Sequence, residues 1–76
     1  MFEAELNYFI AHQDELVRQH GGKVLVIRGE HVEGAYDSPL EAYITAQKQF
    51  PAGSFMIQPC ESGRSAYTVT INSLAT

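Results

Sequence analysis

Four consecutive apolar residues, Val24-Leu25-Val26-Ile27, constrain this chain more than any other stretch. Successive side chains of a strand point to opposite faces, so a run that is apolar on both parities needs cover above and below. The spacing therefore predicts a central strand over Lys23 to Arg28, not an edge. Gly21-Gly22 precedes it and Gly29-Glu30 follows it, and each pair suits a change of direction.

Tyr36-Asp37-Ser38-Pro39-Leu40-Glu41-Ala42-Tyr43 is the second constraint. Ser38 can cap a helix with its hydroxyl, Pro39 fits the first helical position, and Glu41 completes a capping box. Three helix-start signals agree on one register. They predict a helix from Pro39 to Gln49, stopped by Phe50-Pro51-Ala52-Gly53. Its stripe is Leu40, Tyr43, Ala46, Gln47 and Phe50, and Ala42 and Ala46 would let it lie close to a sheet.

The remaining elements follow from periodicity. Residues 2 to 20 predict an amphipathic helix, with Phe2, Leu6, Phe9, Ile10, Leu16 and Val17 on one stripe and Gln13 in phase. Glu3 and Glu5 suit its positive end, and Arg18 and His20 its negative end. His31 to Tyr36 reads as a second strand, with Val32, Gly34 and Tyr36 on one face and His31, Glu33 and Ala35 on the other. Ser54 to Pro59 reads as a third, with Phe55 and Ile57 on one face and Met56 and Gln58 on the other. After a turn at Glu61-Ser62-Gly63-Arg64, Ala66 to Ser73 alternates Tyr67, Val69 and Ile71 against Thr68, Thr70 and Asn72, the pattern of a fourth strand. The last three residues are expected to fray.

The order is helix, strand, strand, helix, strand, strand. A helix joins the second strand to the third, and the right-handed crossover rule sets those two parallel with the first between them. The expected fold is α+β, a four-stranded antiparallel sheet of order 2-1-3-4 with two helices, forming one domain over residues 1–76. A 45% hydrophobic content with four tyrosines and four phenylalanines supports a globular core rather than disorder. The core of so short a chain is small, which makes association an expectation.

Asp14-Glu15-Leu16, Gly22-Lys23-Val24, Ile27, Tyr36-Asp37-Ser38, Glu41-Ala42-Tyr43 and Gly53-Ser54-Phe55-Met56-Ile57 together resemble a group of small prokaryotic domains of unknown function. Those domains carry a leading helix, a Gly-Lys-led hairpin, a Ser-x-x-Glu-Ala helix and a final apolar strand. The resemblance covers residues 8 to 60. It implies the fold and a prokaryotic origin, and it implies no activity.

Charge and composition exclude some function classes. Nine acidic residues against five basic ones leave a net charge of −4 with no basic run, which disfavours nucleic acid and anionic membrane surfaces. One cysteine, Cys60, cannot form an internal disulfide. With no membrane span and an acidic start unlike a signal peptide, the expected location is the cytoplasm.

Candidate chemistry is sparse. His31 and Glu33 on one strand face begin a metal site, but a metal needs three or four ligands and no other histidine is locally spaced to help. A wet edge-strand face accounts for the same two residues. His12 and Glu15 are three apart on the first helix, a spacing that lets them meet, and they read equally as a solvated face. Cys60 lacks a neighbouring base, Ser62 and Ser65 do not form a nucleophile elbow, and Gly21-Gly22-Lys23 follows a helix where a phosphate loop precedes one. No catalytic residue and no cofactor is assigned.

The expected function is a non-catalytic interaction or regulatory module that associates through its sheet as a homo-oligomer or with a protein partner. The expected surface is Tyr67, Val69 and Ile71 on the fourth strand, an edge without Lys, Pro or a charge. The alternative is a small-ligand or metal-binding domain using the His31/Glu33 face with Tyr36 or Asp37 nearby. A hydrolase or transferase assembled across a dimer interface is the third reading, and it needs groups from two chains.

Overall fold

The structure is a computed structural model that describes residues 2–64 and residue 66. Helix α1 spans Glu3–His20, strand β1 Val24–Arg28, strand β2 His31–Tyr36, helix α2 Pro39–Gln49 and strand β3 Met56–Pro59. Among the described residues the sheet has three strands in the order β2-β1-β3, and β1 is antiparallel to both neighbours. The doubly apolar run thus forms the central strand, with all four of its side chains buried.

The local signals act as their chemistry requires. Ser38 sits in extended backbone at the N-cap of α2 and its Oγ accepts the Glu41 N–H at 3.1 Å. Gly21 and Gly22 end α1 in a turn closed by the Lys23 N–H donating to the His20 carbonyl at 2.9 Å, with Gly22 at φ +86. Gly29 leads the β1–β2 turn at φ +59, and Glu30 after it has negative φ, the sign pattern of a type II′ hairpin. Glu5 of α1 holds that turn from outside, its carboxylate accepting the Gly29 N–H at 2.7 Å.

Alternation along β1 divides the core into two layers. Leu25 and Ile27 face α1 and pack with Phe9, Leu16, Met56, Cys60 and Ala66. Val24 and Val26 face α2 and pack with Ala42, Ala46 and Phe55. The sheet is therefore sandwiched between the two helices. The β1–β3 ladder runs one residue past the strand end, because the Cys60 N–H donates to the Lys23 carbonyl at 2.8 Å.

Two expectations are corrected. The first concerns faces on β2. Val26 pairs with Gly34 but Ile27 pairs with Val32, so Glu33 is an extra residue in a β-bulge. The bulge resets the alternation. Val32 joins Ala35 against the α1-side core, whereas Tyr36 packs on the α2 side. Strict period-2 reading had put Val32 with Tyr36.

The second concerns the fourth strand. Among the described residues the sheet has three strands and not four, and the expected order 2-1-3-4 is corrected to 2-1-3. Ala66, the first residue of that expected strand, is helical, as is Arg64. Residues 67–76 lie outside the described residues, and with them most of the expected strand. The physical reason is visible just before it. The Gln13 side-chain amide donates to the carbonyls of Glu61 at 2.8 Å and Gly63 at 2.9 Å, and Ala66 is buried in the α1-side core. The segment after β3 is tied to α1 instead of opening a hairpin.

Candidate functional site

His31 sits at the hairpin end of β2, paired with Arg28. Glu33, displaced by the bulge, reaches the Arg28 guanidinium at 3.8 Å. That guanidinium also stacks 4.3 Å above the Phe50 ring. Glu33 therefore has a structural partner, and among the described residues no group of three or more His, Cys, Asp and Glu side chains is arranged to hold a metal ion. Tyr36 and Asp37 lie at the opposite end of β2 from His31. There Asp37 Oδ1 accepts from Lys23 Nζ at 2.5 Å, and this bond and charge raise the lysine above its ordinary pKa.

His12 does not stand alone on α1. Its ring stacks on Tyr8 with centroids 4.5 Å apart, one turn back along the helix. Both line an open depression of about 360 Å³ with Asn7 and Glu30. One imidazole, one phenol and one carboxylate face this shallow space, and no buried polar group is aimed into it. Cys60 lies fully buried beneath α1, where desolvation pushes its thiol above the ordinary value. A buried thiol held in the neutral form is a poor nucleophile. Gln58, also fully buried, donates from its amide nitrogen to the carbonyls of Pro59 at 2.9 Å and Ala66 at 3.1 Å, a structural tie between β3 and the segment after it.

The expected interaction residues Tyr67, Val69 and Ile71 lie outside the described residues. Among the described residues, three of the four large apolar side chains that the structure leaves exposed are on α2; the fourth is Ile10 of α1, 41% exposed, which corrects its place on the inward stripe of that helix. Ala42 is 0% exposed and Ala46 2%, and these two small side chains make the buried row. The opposite row turns outward, with Leu40 67% exposed, Tyr43 48% and Ile44 39%. The stripe read from the sequence, Leu40, Tyr43, Ala46, Gln47 and Phe50, is corrected at Leu40, Tyr43 and Gln47, which are exposed, while Ala46 is buried and Phe50 packs against the α2-side core. Ala42 and Ala46, read as the residues that let the helix lie close to a sheet, form the contact row.

The ridge has a firm base. Tyr43 packs on Phe55 with centroids 6.0 Å apart, and Phe55 packs on Phe50 at 6.5 Å. Phe55 is buried, so the row runs from the α2 surface through the core to the stacked Arg28. A half-exposed tyrosine anchored in this way keeps its ring in place at low entropic cost, as contact residues at interfaces do. Among the described residues no helix is long and apolar enough to cross a membrane. Comparison with protein-family models, with curated proteins and with solved structures finds no match to this chain.

Proposed function

We propose that this domain is a non-catalytic interaction module and that the outer face of α2 is its binding surface. The observation that carries the reading is the outward row Leu40, Tyr43 and Ile44, three large apolar side chains on adjacent turns of one helix. Scattered exposed apolar residues need no explanation, but a contiguous row marks a contact surface. The other candidate groups are compatible with this reading: Glu33 and Asp37, considered for ligand or metal binding, are engaged in ion pairs, and Cys60 is buried.

In-cell photo-crosslinking tests the reading. Benzoyl-phenylalanine placed at the exposed Gln47, beside the ridge, is expected to give a discrete crosslinked product, while the same group at exposed Glu15 on α1 gives none. Equal labelling from both positions, or no product from Gln47, would remove α2 as the binding surface.

A further inference from the structure

We propose that the occupant of the α2 ridge is a second copy of this chain, packed antiparallel, with its Lys48 facing Glu41 across the interface and the reverse pair on the other side. This rests on the reading of α2 as a binding surface and names the partner. The inference comes from how charge and apolar side chains are laid out on one helix.

Glu41 lies in the first turn of α2 and Lys48 in the last, and both are exposed. Seven residues are close to two full turns, so the two charges lie on the same flank of the helix, beside the ridge. Ile44 lies between them along the axis. Pair two copies about a two-fold axis through Ile44, and each Glu41 comes opposite the partner's Lys48, offset by about 1.5 Å along the axis. A two-fold of this kind keeps the charged flank of one helix on the same side as the charged flank of the other, so both pairs form together. The apolar ridges meet in the middle, Ile44 on the partner's Ile44.

The alternatives are less favourable. A parallel pair would carry the two charged flanks to opposite sides of the interface, where no Glu41–Lys48 pair can form, and would align the two helix dipoles. A strongly charged partner finds nothing to read here, because α2 carries one acid and one base and is neutral within a chain of net charge −4. Neutrality of this face spares the contact itself a like-charge repulsion, although each copy carries a net charge of −4. The pattern is self-complementary, which is what an isologous interface requires.

Sedimentation equilibrium of the full chain tests this over a concentration series reaching the millimolar range. The expected mass at the upper end is twice the 8.4 kDa of one chain. Ile44→Glu should return it to one chain at every concentration, with an unchanged circular dichroism spectrum showing that the exposed site leaves the fold intact. Glu41→Lys and Lys48→Glu should each weaken self-association roughly tenfold at low salt, since two ion pairs become two repulsions. An equimolar mixture of these two single variants should recover a dimer, because each copy then supplies what the other lacks.

A chain that stays monomeric throughout overturns the proposal, as does a dimer untouched by Ile44→Glu or a mixture no tighter than its components. The crosslinking result separates this failure from failure of the underlying reading. A Gln47 product at twice the chain mass agrees with self-association. A product with a different protein overturns self-association while keeping α2 as the binding surface, and no product removes both.

Discussion

Helices α1 and α2 cover opposite faces of the three strands seen among the described residues, and they differ in where most of their large side chains go, with Ile10, 41% exposed, the exception on α1. Phe9 and Leu16 point from α1 into the core and are 0% and 5% exposed. In α2 the buried pair is Ala42 and Ala46, and Leu40, Tyr43 and Ile44 point away from the sheet. One helix is spent on stability, and the other contributes little apolar volume inward and offers much outward. The difference teaches where function is to be sought. A helix that turns its bulk away from a small core, in a chain with little core to spare, is shaped for something beyond that core.

That contrast can be broken most directly at Phe9. Phe9→Ala removes a fully buried ring and should cost about 3–5 kcal/mol, measured by urea unfolding. A loss under about 1 kcal/mol would mean that α1 does not carry its side of the core. Ala46→Leu probes the other face, where added bulk must push α2 off the sheet. A destabilisation of about 1–3 kcal/mol is expected by thermal melting, and an unchanged midpoint would show that the close approach is unimportant.

Ser38→Ala deletes the side-chain cap of α2 and should cost about 1 kcal/mol. Leu40→Ser should change the unfolding free energy of the dilute monomer by no more than about 0.5 kcal/mol while reducing self-association. A larger stability loss would place Leu40 in the core and undo the comparison. Cys60 reports on the α1 side with the smallest energy. Its folded pKa is raised by burial above the ordinary 9.0, so the neutral thiol favours the folded state. That preference is fully present below the unfolded value and is lost as pH rises from there through the raised folded value, so stability should decline in alkaline solution more in the native chain than in Cys60→Ala. Alkylation of native Cys60 near neutral pH should likewise track global unfolding. Fast modification of the folded chain would show that α1 opens locally.

Much of the architecture was legible in the residues. Val24 to Ile27 demanded cover on two faces and received it, and Ser38-Pro39-x-Glu41 set the start of α2 to the residue. The crossover rule ordered β2, β1 and β3 correctly. Three things were not fully legible. The bulge at Glu33 left no mark on composition, because one extra residue changes register without changing residue types. The helical placement of Ala66 was hidden because the alternation that begins there expresses β-propensity, a weak guide where tertiary contacts compete, and Gln13 and Gln58 supply such contacts with Glu61, Gly63 and Ala66. The inward row of α2 was half legible: Ala42 and Ala46 were read as allowing close approach, but a stripe weighed by hydrophobicity set Leu40 and Tyr43 on the same row as Ala46.

The sequence by itself therefore determined the two helices and the first three strands, their order and the centre of the sheet. These depend on period, capping and turn chemistry, which act within a few residues. Only the tertiary structure decided which helix covers which face, which side of α2 touches the sheet, and that Ala66 belongs to the core under α1. Each of these is a competition between surfaces far apart in the chain, settled by fit and by hydrogen bonds across the fold. That competition is also what left Leu40, Tyr43 and Ile44 facing outward.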